Sequence, residues 1–234
     1  SNELRKLISK GERCLLISEN RPEWFITDLS IMLSDGITVP AYTTYAENDY
    51  NYILNDCTPS IIFVSNIEQF DKLKNIIKDK KFIKKIFSFE KLPNIEIEYI
   101  NLEELIQNNN KKNLTIHKSL ALRKDPSCII YTSGTQGNPK GVILSHGGIL
   151  NNCEGAIDIL KPLLSKKKPR FLTWLPLSHS YEHTVQFVQI TVAARIFYAE
   201  SIDKLVKNMS DCSPEIMTAV PRFYQNLYQK INAS

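Results

Sequence analysis

Apolar positions along the chain switch repeatedly between short runs of β-type residues and stretches with a 3.6-residue period. That pattern predicts βαβ units, an α/β fold of layered, mostly parallel sheets with flanking helices. Strands are predicted at 14–17, 60–64, 95–100, 128–131, 171–174 and 216–220. The clearest helix is predicted to start at Asn20 as N-cap, with Pro22 in its first turn and Glu23 three residues on. Its apolar face is Phe25, Leu29, Met32 and Leu33, and Gly36 is the expected stop. A second helix is predicted from about Ile149 through Cys153, Ala156, Ile157 and Leu160, until Pro162 prevents continuation. Ile202, Leu205, Val206 and Met209 mark a shorter one.

Two polar segments, 107–113 and 165–169, interrupt this order. The first divides the chain into a leading α/β block over 1–110, a linker over 111–126 and a second α/β block over 127–234. The mix of 43% hydrophobic and 23% charged residues in 234 excludes disorder throughout, because it supplies enough apolar surface for a core. An excess of 29 Lys+Arg over 25 Asp+Glu falls short of the basic stripe of a nucleic-acid binder. No run approaches the roughly 18 apolar residues of a membrane span. Five cysteines without a C-x-x-C pair argue against a disulfide framework or a zinc ribbon, so a reducing cytoplasm is expected.

The candidate chemistry is concentrated in residues 131–141, Tyr-Thr-Ser-Gly-Thr-Gln-Gly-Asn-Pro-Lys-Gly, directly after an apolar strand. Gly134, Gly137 and Gly141 let backbone N–H groups turn toward a ligand; Thr132, Ser133 and Thr135 add hydroxyl donors, and Lys140 adds a cation. Such a loop suits a polyphosphate. It is not a Walker loop, since Pro139 stands where the second glycine belongs and Gly141 where the magnesium-binding hydroxyl belongs. The following Val142-Ile-Leu144 predicts a strand, hence a hairpin-like loop over a triphosphate rather than a helix N-terminus.

This segment resembles the signature of the adenylate-forming (AMP-binding) superfamily, Tyr-Thr-Ser-Gly-Thr-x-Gly-x-Pro-Lys-Gly, at every specified position. Nine fixed letters recur by chance on the order of once in 10¹² start sites. Residues 16–24, 39–44, 175–183 and 219–224 are also similar to acyl-CoA synthetases of the long-chain fatty-acid type. The resemblance implies the N-terminal part of an ATP-dependent fatty-acid–CoA ligase. Thr132, Ser133, Gly134, Thr135, Gln136, Gly137, Asn138 and Lys140 would hold the ATP phosphates, and His179 would help to shape the adenylate and acyl pocket. Gln136 stands where many relatives carry Thr, which removes one hydroxyl. ATP, Mg²⁺ and CoA are the implied co-substrates and a fatty acid or other carboxylate the implied partner. The family's later Tyr-Gly-x-Thr-Glu motif, which carries a magnesium-binding Glu, does not occur in these residues. The resemblance therefore implies a piece of a longer enzyme that turns over poorly alone.

Three other readings compete. A degenerate nucleotide-binding module would keep the loop without catalysis. His179-Ser-Tyr-Glu182-His183 also spells H-x-x-E-H, the inverted zincin pattern, but with no recognisable third ligand in the sequence. A serine hydrolase lacks its G-x-S-x-G elbow. The eight lysines between Lys72 and Lys91 predict a solvated helix face, with peripheral membrane or CoA attraction as the other reading.

Overall fold

The computed structural model of the chain describes residues 1–93, 95–109, 118–132, 139–163 and 168–232. Two compact units emerge, Ser1–Asn151 and Asn152–Ser234. In the first, β1 (Arg13–Ile17), β2 (Ile37–Ala41), β3 (Ile61–Val64), β4 (Lys85–Ser88), β5 (Ile100–Asn101) and β6 (Pro126–Thr132) run parallel. β7 (Lys140–Ser145) adds an antiparallel edge, and the order is β5-β4-β3-β1-β2-β6-β7. The intervening helices are α1 (Pro22–Leu33), α2 (Glu47–Cys57), α3 (Ile67–Asp71) and α4 (Leu102–Asn109); α5 (His146–Leu160) follows β7.

Strands β1 to β4 are covered on both faces, which is why they read as continuous apolar runs rather than alternating ones. On one face Leu15, Ile17, Val39, Ala41, Ile62 and Val64 pack with Tyr50, Ile53 and Leu54 of α2. Alternate residues point the other way, where the rings of Phe63 and Phe87 stack at 4.8 Å. The second unit repeats the logic on a smaller scale: β8 (Arg170–Thr173), β9 (Arg195–Tyr198) and β10 (Ile216–Met217) form a parallel sheet ordered β10-β8-β9. Its helices are α6 (Ser180–Thr191), α7 (Leu205–Cys212) and α8 (Pro221–Asn232).

Several expectations shift. α1 begins at Pro22 with Arg21 as N-cap, one residue after Asn20, and Leu33 is exposed while Trp24 and Ile31 are fully buried. The left-handed residue that ends α1 is Asp35 (φ 61°), whereas Gly36 is needed for space, since a Cβ there would lie 2.8 Å from Ile8 Cδ1. Of 95–100 only Ile100 is paired; Ile95, Ile97 and Tyr99 instead pack against the core without ladder bonds, which their alternation permits equally well. The 216–220 run pairs only at Ile216–Met217. β2 was hidden by Pro40, which in sequence argues against a central strand, and β4 by its lysine-rich approach. Lys72 to Lys84 lie in the turns and connecting chain after the five-residue α3 and Lys85 opens β4, so none of them is on a helix face.

The boundary between the units also falls later than the expected 111–126 linker, because β6 pairs with β2 and carries the hairpin into the leading sheet. Residues 110–117 lie outside the described residues. The rest of that segment is fastened to the body by the buried carboxylate of Asp35. It accepts from the Ser119 hydroxyl at 2.6 Å, Leu120 N–H at 2.8 Å and Ala121 N–H at 3.1 Å, and pairs with Arg5 at 3.2 Å. Burial alone would raise the pKa of Asp35, but these donors and the Arg5 charge together hold it below the usual carboxylate range. A depressed native pKa contributes stability that is present above the unfolded value of about 4 and lost as pH falls through the native one. Asp35→Asn should therefore cost about 2 kcal/mol in urea unfolding at neutral pH. The gap between variant and parent should close below about pH 4; a constant gap would contradict the linkage.

Candidate functional site

The phosphate-loop candidate is the connection of the β6–β7 hairpin. Ile130 pairs with Val142, Tyr131 with Gly141 and Thr132 with Lys140, so Thr132 and Lys140 stand opposite each other at its mouth, both exposed. Ser133, Gly134, Thr135, Gln136, Gly137 and Asn138 lie outside the described residues. β7 confirms a strand, not a helix, after the loop. The mouth lies at the carboxyl end of the parallel strand β6, the edge where open α/β sheets take their ligands.

Two features brace the hairpin. Tyr131 is buried, and its hydroxyl donates to Asp56 Oδ2, at the end of α2, at 2.5 Å. Burial, with the Asp56 carboxylate as hydrogen-bond partner, raises the phenol pKa and keeps it a donor. The neighbouring Cys57 thiol is pushed up to about 12, chiefly by burial, and is inert at neutral pH. Gly141 is not a turn glycine. It sits within β7, where a Cβ would lie 2.9 Å from Ile129 Cγ2 and 3.3 Å from the Tyr131 ring, so its bareness admits those two side chains.

His179 belongs to the second unit. It is the N-cap of α6, exposed, and its Nδ1 accepts the Tyr181 N–H at 3.2 Å. Behind it, α6 buries a polar face that the apolar period could not flag: Glu182, His183, Gln186 and Gln189 are each at most 1% exposed. Thr218 donates its hydroxyl to Glu182 Oε2 at 2.6 Å, and the Gln189 amide donates to Thr173 Oγ1 at 3.0 Å. Burial pushes the Glu182 carboxyl up to about 7, against the opposing Thr218 and Thr173 hydroxyls. The signal available in sequence was the spacing of Glu182, Gln186 and Gln189 along one helical stripe. The H-x-x-E-H pattern is split by this packing into an exposed cap and two buried side chains, and among the described residues no group of three His, Cys, Asp or Glu could hold a metal ion.

The family model "AMP-binding enzyme" matches residues 2–234. The chain belongs to the AMP-binding enzyme family. Long chain acyl-CoA synthetase 3 of Arabidopsis thaliana is 28% identical over 97% of this chain and 36% of its own length. Long-chain-fatty-acid–CoA ligase 1 of Cavia porcellus is 28% identical over 93% of this chain and 33% of its own. The chain thus spans about a third of the length of these curated relatives. Among solved structures, a long-chain-fatty-acid CoA ligase from Rhodopseudomonas palustris superposes with a TM-score of 0.81 at 17% identity, over 97% of this chain and 55% of that one. ATP-bound MatB from the same organism gives 0.77 at 20% identity over 97% of this chain and 42% of that one. These likenesses establish the fold of the N-terminal part of an AMP-binding enzyme. Among the described residues no helix is long and apolar enough to cross a membrane.

Two outcomes follow for this member of the AMP-binding enzyme family. Gly141→Ala must push Ile129 or Tyr131 aside and should lower unfolding stability by about 1–3 kcal/mol; an unchanged urea midpoint would refute the packing role. A carboxyl whose native pKa is raised contributes stability that is complete below its unfolded pKa and lost as pH rises through the native value near 7. Glu182→Gln, which stays neutral, should therefore gain up to about 3 kcal/mol relative to the parent above pH 7. Thermal melts of both proteins between pH 5 and 8 check this, and parallel profiles would contradict it.

Proposed function

We propose that this chain is part of an ATP-dependent ligase that activates a fatty carboxylate as acyl-AMP and passes the acyl group to CoA. The observation that carries the reading is the loop signature of nine fixed letters, set between two hairpin strands at the carboxyl edge of the parallel sheet. The long-chain ligase names of its relatives support a fatty acid over other carboxylates.

In the first step a carboxylate oxygen bonds to the α-phosphorus of ATP as the Pα–O–Pβ bond breaks, and pyrophosphate leaves with the electron pair. In the second, the CoA sulfur attacks the acyl carbon, the C–O bond to AMP breaks, and the thiol proton is lost to solvent or a base. The hydroxyls of Thr132, Ser133 and Thr135, the backbone of Gly134, Gly137 and Asn138, the Gln136 amide and the Lys140 ammonium would hold the β- and γ-phosphates. Donors placed before the reaction would stabilise the charge that builds on the leaving group. Magnesium would accompany the triphosphate and offset its charge, and the loop's hydroxyls are hard oxygen donors of the kind it accepts. His179, whose ring is oriented by the Tyr181 N–H, would border the adenylate and acyl group.

ATP–pyrophosphate exchange on the full-length protein, with acids of graded chain length, tests the reading. Acid-dependent exchange greatest for long chains is expected. Lys140→Ala should reduce exchange by roughly 10- to 150-fold, the loss of one charge-assisted contact of about 1.5–3 kcal/mol. Nucleotide binding without any exchange would identify a non-catalytic module instead, and unchanged exchange in the variant would overturn the role of Lys140.

A further inference from the structure

The lysine-rich stretch has no part in the reaction proposed above, yet it builds a defined feature. After α3 the chain turns through 72–84 and enters β4 at Lys85, gathering Lys78, Lys80, Lys81, Lys84 and Lys85 around one groove of about 430 Å³. Among the described residues Glu98 is the one carboxylate in its lining, and the buried core residues Ile77 and Ile86 form part of its floor. Position separates it from the hairpin. The Lys84 N–H bonds to Ser60 O and its ammonium reaches Glu12, so the groove lies where β1, β3 and β4 begin. Thr132 lies where the parallel strand β6 ends, at the opposite edge of the same sheet.

The charges are only partly cancelled. Lys84 pairs with Glu12 at 2.7 Å and Lys85 with Glu98 at 2.5 Å, while Lys80 donates to the neutral Asn55 Oδ1 at 2.6 Å. Lys78 and Lys81 are exposed and make no ion pair among the described residues. Ammonium groups crowded into a concavity repel one another and focus a positive potential there. A single anion of high charge density relieves that repulsion, and lysine binds phosphate as a point charge without demanding a fixed fork geometry.

We propose that this groove is a second anion site, which takes a ligand bearing a phosphate group through Lys78, Lys80 and Lys81 independently of the hairpin. Two sources supply that chemistry, a soluble polyphosphate and the headgroup of an anionic phospholipid, and the test separates them. The full-length protein is labelled with acetic anhydride and each lysine is read by mass spectrometry. Labelling is done with inorganic pyrophosphate, with phosphatidylcholine vesicles with or without phosphatidylglycerol, and with sodium chloride at matched ionic strength. Labelling of Lys78 and Lys81 should fall severalfold relative to chloride, while the exposed Lys124 is unchanged, and the protection should persist in Lys140→Ala. Protection by pyrophosphate assigns a soluble ligand, and protection by phosphatidylglycerol vesicles alone assigns a lipid headgroup. The double variant Lys78→Glu/Lys81→Glu, with an unchanged circular dichroism spectrum, should bind the protecting ligand at least roughly thirtyfold more weakly. Labelling equal to the chloride control with every ligand, protection lost in Lys140→Ala, or an unweakened double variant would overturn the proposal.

Discussion

Parallel strands need cover on both faces, and in the leading unit that requirement organises everything else. β1 is buried along Cys14–Ile17, with β2 and β3 on either side, and the helices between strands must lie over the faces to keep it so. Crossovers of this kind return every strand in the same direction, so all the carboxyl ends gather on one edge. The β6–β7 hairpin inherits its position from that rule: β6 joins β2 as one more parallel strand, and its end delivers the loop to the ligand-binding edge.

The hairpin then solves a different problem from that of a Walker loop. A loop opening a helix presents N–H groups aligned with the helix dipole, whereas a loop between antiparallel strands has no such dipole and, in the proposed site, would depend on its own hydroxyls, backbone and Lys140. Its rigidity comes from below. The Tyr131–Asp56 hydrogen bond ties β6 to α2, and the bare Gly141 lets the Tyr131 ring and Ile129 close against β7. The proposed phosphate site is thereby mounted on a braced base.

In the second unit the costly element is the polar face of α6. Burying Glu182, Gln186 and Gln189 against β8 and the segment carrying Thr218 gives less stabilisation than an apolar face would, and a carboxyl with a pKa near 7 makes part of that cost depend on pH. His179 caps the same helix, so the side chain proposed to border the adenylate is oriented by a backbone contact of the element whose buried face is polar.

Much of this was legible in the residues themselves. Period changes located β1, β3, β6 and β8, and the loop sequence named a family that the whole-chain match then established. These features are local: a strand's apolar run and a loop's donor set are properties of neighbouring residues. Other features were not legible because they depend on residues far apart in the chain. Pro40 argued against β2 until β1 and β6 were seen to enclose it, Gly141 looked like a turn glycine until Tyr131 was found across from it, and Asp35 turned half of an apparent linker into a fastened entry to β6. The linear sequence determined the chemistry of the loop and the α/β class, because both follow from side-chain type and spacing. Which strand stands beside which, and so where that loop is presented, was decided only in three dimensions, because burial and pairing are paid for by partners that spacing along the chain does not reveal.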